Sequence, residues 1–354
     1  MLKRIFPLLL LLTFGCIDPL NMGKMKQQKH LAVEGSFTNM PELNYVRLSY
    51  AQPYDYPYNE FITDAEVYVT SSEGERYNFV YGGDGGDFYA NTAGSYFPEF
   101  PLDAAAQIGH TYTLHVVANG RTYQSTPATV KAPIPIDSVH FEVDEQVFSF
   151  KGYQERKKWP GYRVLVNYQD PEHEKNFLRW TFASQYEVST QPEEYISPSS
   201  GLPAPKSCCS RCFLSEKLDR FRVVNDRLVN GKKVINQEVL FLPFERYLGV
   251  KHKLKVYQHS LTEEAYNFFR IMEQQKEAKG TVFDPPPAEV KGNMFNPNDA
   301  AEQVIGFFDA SAVATREVVI LRKDIDYPVA PFRWPDDCRE IPGASKEIPA
   351  DWLK

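Results

Sequence analysis

No stretch of this 354-residue chain is apolar for long enough to cross a bilayer. The longest, Ile5 to Phe14, holds roughly ten residues where a spanning helix needs about twenty. An excess of basic charge is also missing: the formal charge is −7 at pH 7, which argues against a nucleic-acid partner. Histidine, at 7 residues, and cysteine, at 5, are sparse. There is no Gly-x-Ser-x-Gly elbow and no His-Glu-x-x-His helix, because His173-Glu174 is followed by Lys175 and Asn176 without the second histidine. Neighbouring acids such as Glu193 and Glu194 decide nothing, since a glycosidase pair is defined by separation in space. The chain is therefore read as non-enzymatic and without a cofactor.

What is present begins with a leader. Lys3 and Arg4 precede the apolar stretch, and the small Gly15 stands before Cys16, the layout of an export signal over residues 1–15 cleaved at a lipidated cysteine. Leu12 lies one position further out than the usual lipobox leucine. Two acyl chains on Cys16 would anchor the protein stably where one chain is marginal. An ordinary secretory leader with a chance cysteine would instead give a soluble secreted protein. Residues 16–29, with Lys24, Lys26 and Lys29 among glutamines, read as a tether. Without Lys3 and Arg4 the charge of −7 becomes −9, typical of an ordinary soluble surface.

The remaining 339 or so residues suggest two domains. With 21 tyrosines, 24 phenylalanines and 26 prolines, the composition favours strands punctuated by turns. The fold class expected is mostly β, with an immunoglobulin- or fibronectin-like sandwich over 30–132 and a second β-rich domain over 137–354 carrying one long helix. In the first domain Leu31–Thr38, Tyr45–Tyr50, Ala65–Thr70 and Arg76–Tyr81 are short runs bounded by turn residues. Asn119-Gly120 predicts a type I′ hairpin joining Thr111–Ala118 to Arg121–Ser125. The prolines of Ala132-Pro-Ile-Pro-Ile136 mark a stiff connector. Beyond it, Val139–Phe150, Tyr162–Tyr168 and Phe177–Tyr186 read as strands, and Asn230-Gly231 predicts a hairpin between Phe221–Val229 and Lys232–Leu242. Ser260 and Glu263 form a capping box that opens a helix over about 261–279, stopped by Gly280. Its face of Leu261, Ala265, Phe268, Phe269 and Met272 is set to pack on a sheet.

Three features are candidate sites. Cys208, Cys209, Cys212 and Cys338 permit three complete pairings in an exported chain. A bond between the adjacent Cys208 and Cys209 would be strained, so Cys338 is expected to pair with one member of the 208–212 cluster. A redox Cys209-Ser-Arg-Cys212 motif or a zinc half-site is the sharper alternative, but neither a βαβ context nor a second Cys-x-x-Cys accompanies it. Gly82-Gly-Asp-Gly-Gly-Asp87 offers Asp84 and Asp87 as weak calcium ligands, although glycine and aspartate are ordinary turn residues. The run from Tyr50 to Phe61 packs five aromatics into twelve residues. Tyr54, Tyr56, Tyr58 and Phe61 suit an interface better than a sugar site, against the alternative of rings folded onto the sandwich edge.

The segments Gly280–Phe295 and Val304–Val313 resemble a Bacteroidota lipoprotein family known only as domain of unknown function 4249. Leu31-Ala-Val-Glu-Gly35 resembles its opening strand, Pro135-Ile-Asp-Ser-Val139 its interdomain join, and Asp337-Cys-Arg339 with Asp351-Trp352 its C-terminal signature. Pro335 stands where the family often has the first cysteine of a Cys-x-x-Cys, so no disulfide pairing is carried over. The resemblance implies an outer-membrane lipoprotein, on the surface or the periplasmic face, with a TonB-dependent receptor as partner. It implies no catalytic residue. The functional expectation is an accessory binding or assembly subunit for nutrient uptake, surface-exposed, touching the membrane through its lipid. A structural or adhesive subunit is the alternative, ahead of a secreted glycan hydrolase or peptidase.

Overall fold

The computed structural model describes residues 29–52, 58–83, 92–147, 158–277, 290–328, 332–350 and 352. Cys16, Tyr54, Tyr56, Asp84, Asp87 and Gly280 lie outside them. The strands run β1 (Leu31–Thr38), β2 (Tyr45–Tyr50), β3 (Glu60–Phe61), β4 (Glu66–Ser71), β5 (Arg76–Tyr81), β6 (Ser95–Pro98), β7 (Thr111–Ala118), β8 (Arg121–Ser125) and β9 (Ala128–Thr129). There follow β10 (Ile136–Val147), β11 (Lys158–Gln169), β12 (Phe177–Ser189), β13 (Arg211–Asn225), β14 (Lys233–Pro243) and β15 (Lys251–Ser260). Helix α1 (Glu263–Glu277), β16 (Met294–Phe295) and β17 (Ile305–Leu321) complete the order. The protein is mostly β, as its aromatic, turn-rich composition predicts.

One long sheet follows the path β13-β12-β15-β17-β1-β2-β6-β5-β4-β7-β8-β16. Its β1-to-β16 part curls over a first core that contains Val33, Phe37, Leu48, Val69, Leu114 and Val116. The curl brings β1 onto β7, so that a side chain at Gly35 would meet the Leu114 methyls at 3.3 Å. Phe37 packs at 4.9 Å from the Tyr112 ring and 5.1 Å from that of Tyr77. Fully burying each such side chain stabilises the fold by roughly 1.5–3 kcal/mol. The hairpin at Asn119-Gly120 forms as expected, with φ of 50° and 71°, the paired positive values a type I′ turn requires.

A separate sheet, β10-β11-β14, faces β12, β15 and the end of β17 across a second core. Tyr162, Val164 and Val166 on one side meet Trp180, Phe182, Leu254 and Ile320 on the other. Here two expectations change. The Asn230-Gly231 turn joins no hairpin, because β13 pairs with β12 and β14 pairs with β11 in the other sheet. The alternating pattern on both sides of the turn is real, but each strand buries its apolar face against its own sheet. The helix cap is Thr262, whose Oγ1 accepts from the Ala265 amide at 3.1 Å. Ser260 is still in β15, where its hydroxyl accepts from the Ile134 amide at 3.2 Å. Of the predicted face, Leu261, Ala265, Phe268 and Phe269 pack with Phe307 and Val223, whereas Met272 is partly buried and stands outside that cluster.

β17 connects the two cores. Its first half runs parallel to β1, Ala32 opposite Ile305 through Thr38 opposite Ser311, and its second half is antiparallel to β15. Phe308, Ala310 and Ala312 belong to the first core, Val318 and Ile320 to the second. The first core thus draws on residues well outside 30–132. Gly306 makes the junction possible: at φ +107° its missing Cβ would lie 1.8 Å from the Val33 carbonyl oxygen.

Candidate functional site

β1, β2 and β3 are sequential antiparallel neighbours, and their meeting leaves a pocket of about 300 Å³ lined by Glu34, Arg47, Ser49, Asn59 and Phe61. Alternation puts these residues on the face away from the first core, because Val33, Val46 and Leu48 take the inward positions. Glu34 and Arg47 are directly opposed across the strand pair. The Arg47 guanidinium lies 5.0 Å over the Phe61 ring and its Nε donates to the Ala93 carbonyl at 3.2 Å. The Tyr45 hydroxyl donates to the Glu34 carboxylate, and burial together with that carboxylate raises the phenol above its usual range. Lys217 lies 4.7 Å over the Tyr45 ring. The pocket therefore joins an aromatic wall to a guanidinium, a carboxylate, an amide and a hydroxyl.

On the same side of the sheet a buried polar cluster ties β12, β15 and β17 together. Arg179 donates to Asp309 at 3.0 Å, the Ser311 hydroxyl donates to the same carboxylate oxygen at 3.0 Å, and Ser311 lies 3.3 Å from His259 Nδ1. His259 Nε2 reaches Thr181 at 3.0 Å. Asp309 is 2% exposed and its second oxygen, like Arg179 Nε, has no hydrogen-bond partner among the described residues. Burial raises the Asp309 carboxyl against the opposing pull of Arg179, and burial with the nearby cations holds His259 well below its ordinary value. Serine, histidine and aspartate are thus close, but the carboxylate holds the serine rather than orienting the histidine. That order differs from a nucleophile, base and orienter chain. The cluster's evident role is to join strands.

The cysteines assemble at the far end of the second core. Cys212 and Cys338 are linked, with S–S 2.08 Å and Cα atoms 6.0 Å apart, so Cys338 does pair within the 208–212 cluster. Cys208 and Cys209 are joined to each other across a cis peptide, a pairing set aside in the sequence as strained. Neighbours hold both: the Cys209 carbonyl accepts from the Thr190 hydroxyl at 2.6 Å and from the Cys338 amide at 3.3 Å. Arg339 reaches the Cys208 carbonyl at 3.4 Å. Among the described residues no group of three or more histidine, cysteine, aspartate or glutamate side chains is placed to share a metal ion.

Of the aromatic candidates, Tyr58 is 71% exposed and Phe61 is half-buried at the pocket wall. Sequence reasoning missed Glu34, Arg47, Arg179, His259 and Asp309. Asp309 alone left a signal, as the one charged residue inside the apolar run Phe307-Phe-Asp-Ala-Ser-Ala-Val313.

The described parts of the segments that carry the family resemblance make structural contacts. Gly292 abuts the Gly306 backbone, and the Asn293 side chain accepts from the Phe308 amide and donates to its carbonyl, both at 2.8 Å. Met294 and Phe295 form β16 on β8. Asp337 caps a turn by accepting from the Arg339 amide at 2.7 Å, and Trp352 is buried 5.2 Å from the Phe213 ring. The chain matches the family described as domain of unknown function (DUF4249) over residues 17–317, and it belongs to that family. No curated protein matches it. Among the described residues no helix is long and apolar enough to cross a membrane.

Proposed function

We propose that the protein is an outer-membrane lipoprotein, anchored through Cys16, that acts as a non-enzymatic accessory binding or assembly subunit beside a TonB-dependent receptor in nutrient uptake. The observation that carries this reading is the cationic and apolar leader ending at Gly15-Cys16, thirteen residues before the first described residue, Lys29. The pocket of Glu34, Arg47 and Phe61 supports a binding role, since convergent polar groups against an aromatic wall are what a small-ligand site needs. The surface-exposed face of the membrane is favoured over the periplasmic one.

The adhesive or structural alternative draws on a different observation. Phe100, Leu102 and Ile108 are 66%, 90% and 55% exposed in the connection between β6 and β7, apolar surface that a monomer would usually cover.

The test is a gentle detergent extraction of the tagged, lipidated protein from native outer membranes, with mass spectrometry of what accompanies it. A TonB-dependent receptor recovered in stoichiometric amount is the expected result. Recovery of the lipoprotein alone would sink the accessory-subunit reading.

A further inference from the structure

The strand registers give the first module two ends. Leu31, Tyr50, Phe61, the Asn119-Gly120 turn and Ile305 lie at one, and Thr38, Ala106 and Ser311 lie at the other. β1, of eight residues, separates the two levels by roughly 25 Å at about 3.3 Å per residue. β17, of seventeen residues and about 56 Å long, continues past the second level into the second core.

The chain enters at the first of these ends. Lys29 donates to both Glu60 carboxylate oxygens, at 2.6 and 2.8 Å, and its ammonium lies 5.3 Å from the Tyr50 ring centroid. Whatever their conformation, the thirteen residues from Cys16 to Lys29 span at most about 45 Å. That is shorter than β17. A lipid on Cys16 therefore keeps the Lys29 end within about 45 Å of the bilayer, nearer than the second module can be held.

The composition of that end suits a lipid boundary. Tyr58 is 71% exposed, Ile305 is 37% exposed, and Phe61 and Tyr50 stand partly open beside them. Two of its carboxylates are paired with cations, Glu60 with Lys29 and Glu302 with Arg121 at 2.7 Å. Aromatic rings with one polar edge are favoured where apolar and wet media meet.

We infer that the end of the first module carrying Tyr50, Tyr58, Phe61 and Ile305 rests on the lipid headgroup surface, as a second membrane contact beside the acylated cysteine. This rests on the lipoprotein reading, and a second contact gives a folded module a fixed orientation that a single lipid anchor does not.

The test uses the full mature chain with a tryptophan introduced at either end, Tyr58→Trp or Leu102→Trp. Each is purified from its native membrane, weighed intact, and reconstituted into phosphatidylethanolamine and phosphatidylglycerol vesicles doped with a phosphatidylcholine brominated on its acyl chains. The expected result is an acylated mass for both variants and a loss of emission in Y58W that L102W and the parent chain lack. An acylated chain in which Y58W is quenched no more than L102W overturns the surface contact and leaves the anchor standing. A chain of unacylated mass overturns both.

Discussion

At the scale of single residues, the Arg179–Asp309 pair shows how this sheet tolerates charge. The pair is buried at 3.0 Å between β12 and β17, with the Arg179 guanidinium 3.8 Å over the Phe269 ring. Removing one partner strands the other charge, whereas removing both leaves only a packing change. Arg179→Met is expected to cost about 3–5 kcal/mol, and the double variant Arg179→Met, Asp309→Leu to recover most of that loss, read by urea unfolding at neutral pH. Equal losses in the single and double variants would show that packing, not the pair, holds this point.

His252 makes a prediction in acid. It is fully buried, its Nε2 lies 2.8 Å from Ser184 Oγ, and burial lowers its pKa from 6.5 to about 3. Above 6.5 the ring is neutral in both folded and unfolded chains and pH has no hold on it. Below 6.5 the unfolded chain takes the proton first, so stability falls by about 1.4 kcal/mol per pH unit until the folded ring titrates near 3. His259 contributes with the same sign. Asp309, raised by burial, acts oppositely: its contribution is present below its ordinary value of 3.8 and lost as pH rises through its folded value. His252→Gln removes one titrating group and leaves the others in place. The difference between its unfolding free energy and the parent's, followed from pH 7 to about pH 4, is expected to shrink with acidification at one proton's slope. A constant difference across that range would contradict the assignment.

At the scale of elements, the junction of β1 and β17 depends on the absence of a side chain. Gly306→Ala places a methyl 1.8 Å from the Val33 carbonyl oxygen at φ +107°, against backbone atoms that cannot swing aside as a side chain can. The variant is expected to be insoluble or to unfold well below the parent temperature, whereas Gly74→Ala, strained by its positive φ but with open space around it, lowers the midpoint by much less. The Cys212–Cys338 bond closes a sequence separation of 126 residues and holds the C-terminal segment against β13, where Phe213 and Ser345 exchange backbone hydrogen bonds. Cys212→Ser is expected to lower stability by about 2–5 kcal/mol, measured by thermal unfolding of the oxidised proteins.

Element by element, the sequence was legible wherever a strand alternates beside a turn signal. β1, β2 and β5 begin and end where the pattern predicts, and Asn119-Gly120 closes its hairpin. Asn230-Gly231 carries the same dipeptide and closes none, because turn chemistry sets the local reversal and not which sheet each flanking strand joins. β15 and the full span of β17 went unread. Both are buried on two faces over much of their length, and a doubly buried strand loses the alternation that identifies it.

At the scale of the molecule, β17 makes the two cores interdependent. The parallel pairing with β1, Asn293 bonding to Phe308, and the placement of Phe308 and Ala310 in the first core all come from the last quarter of the chain. A chain ended after Gly292 is expected to leave the first module unfolded, with fast hydrogen exchange at the Val46 and Leu48 amides. Protection of those amides in the shortened chain would show that residues 30–132 form an autonomous sandwich.

The sequence alone determined the β class, the well-patterned strands and the family, since each depends on local order along the chain. Tertiary structure decided the opposition of Glu34 and Arg47, the meeting of Arg179 with Asp309 across 130 positions, and the pairing of Lys29 with Glu60. Those depend on strand register and on which neighbour a strand takes. Both are set by the fit of distant apolar faces into a common core, and local pattern carries no record of that fit.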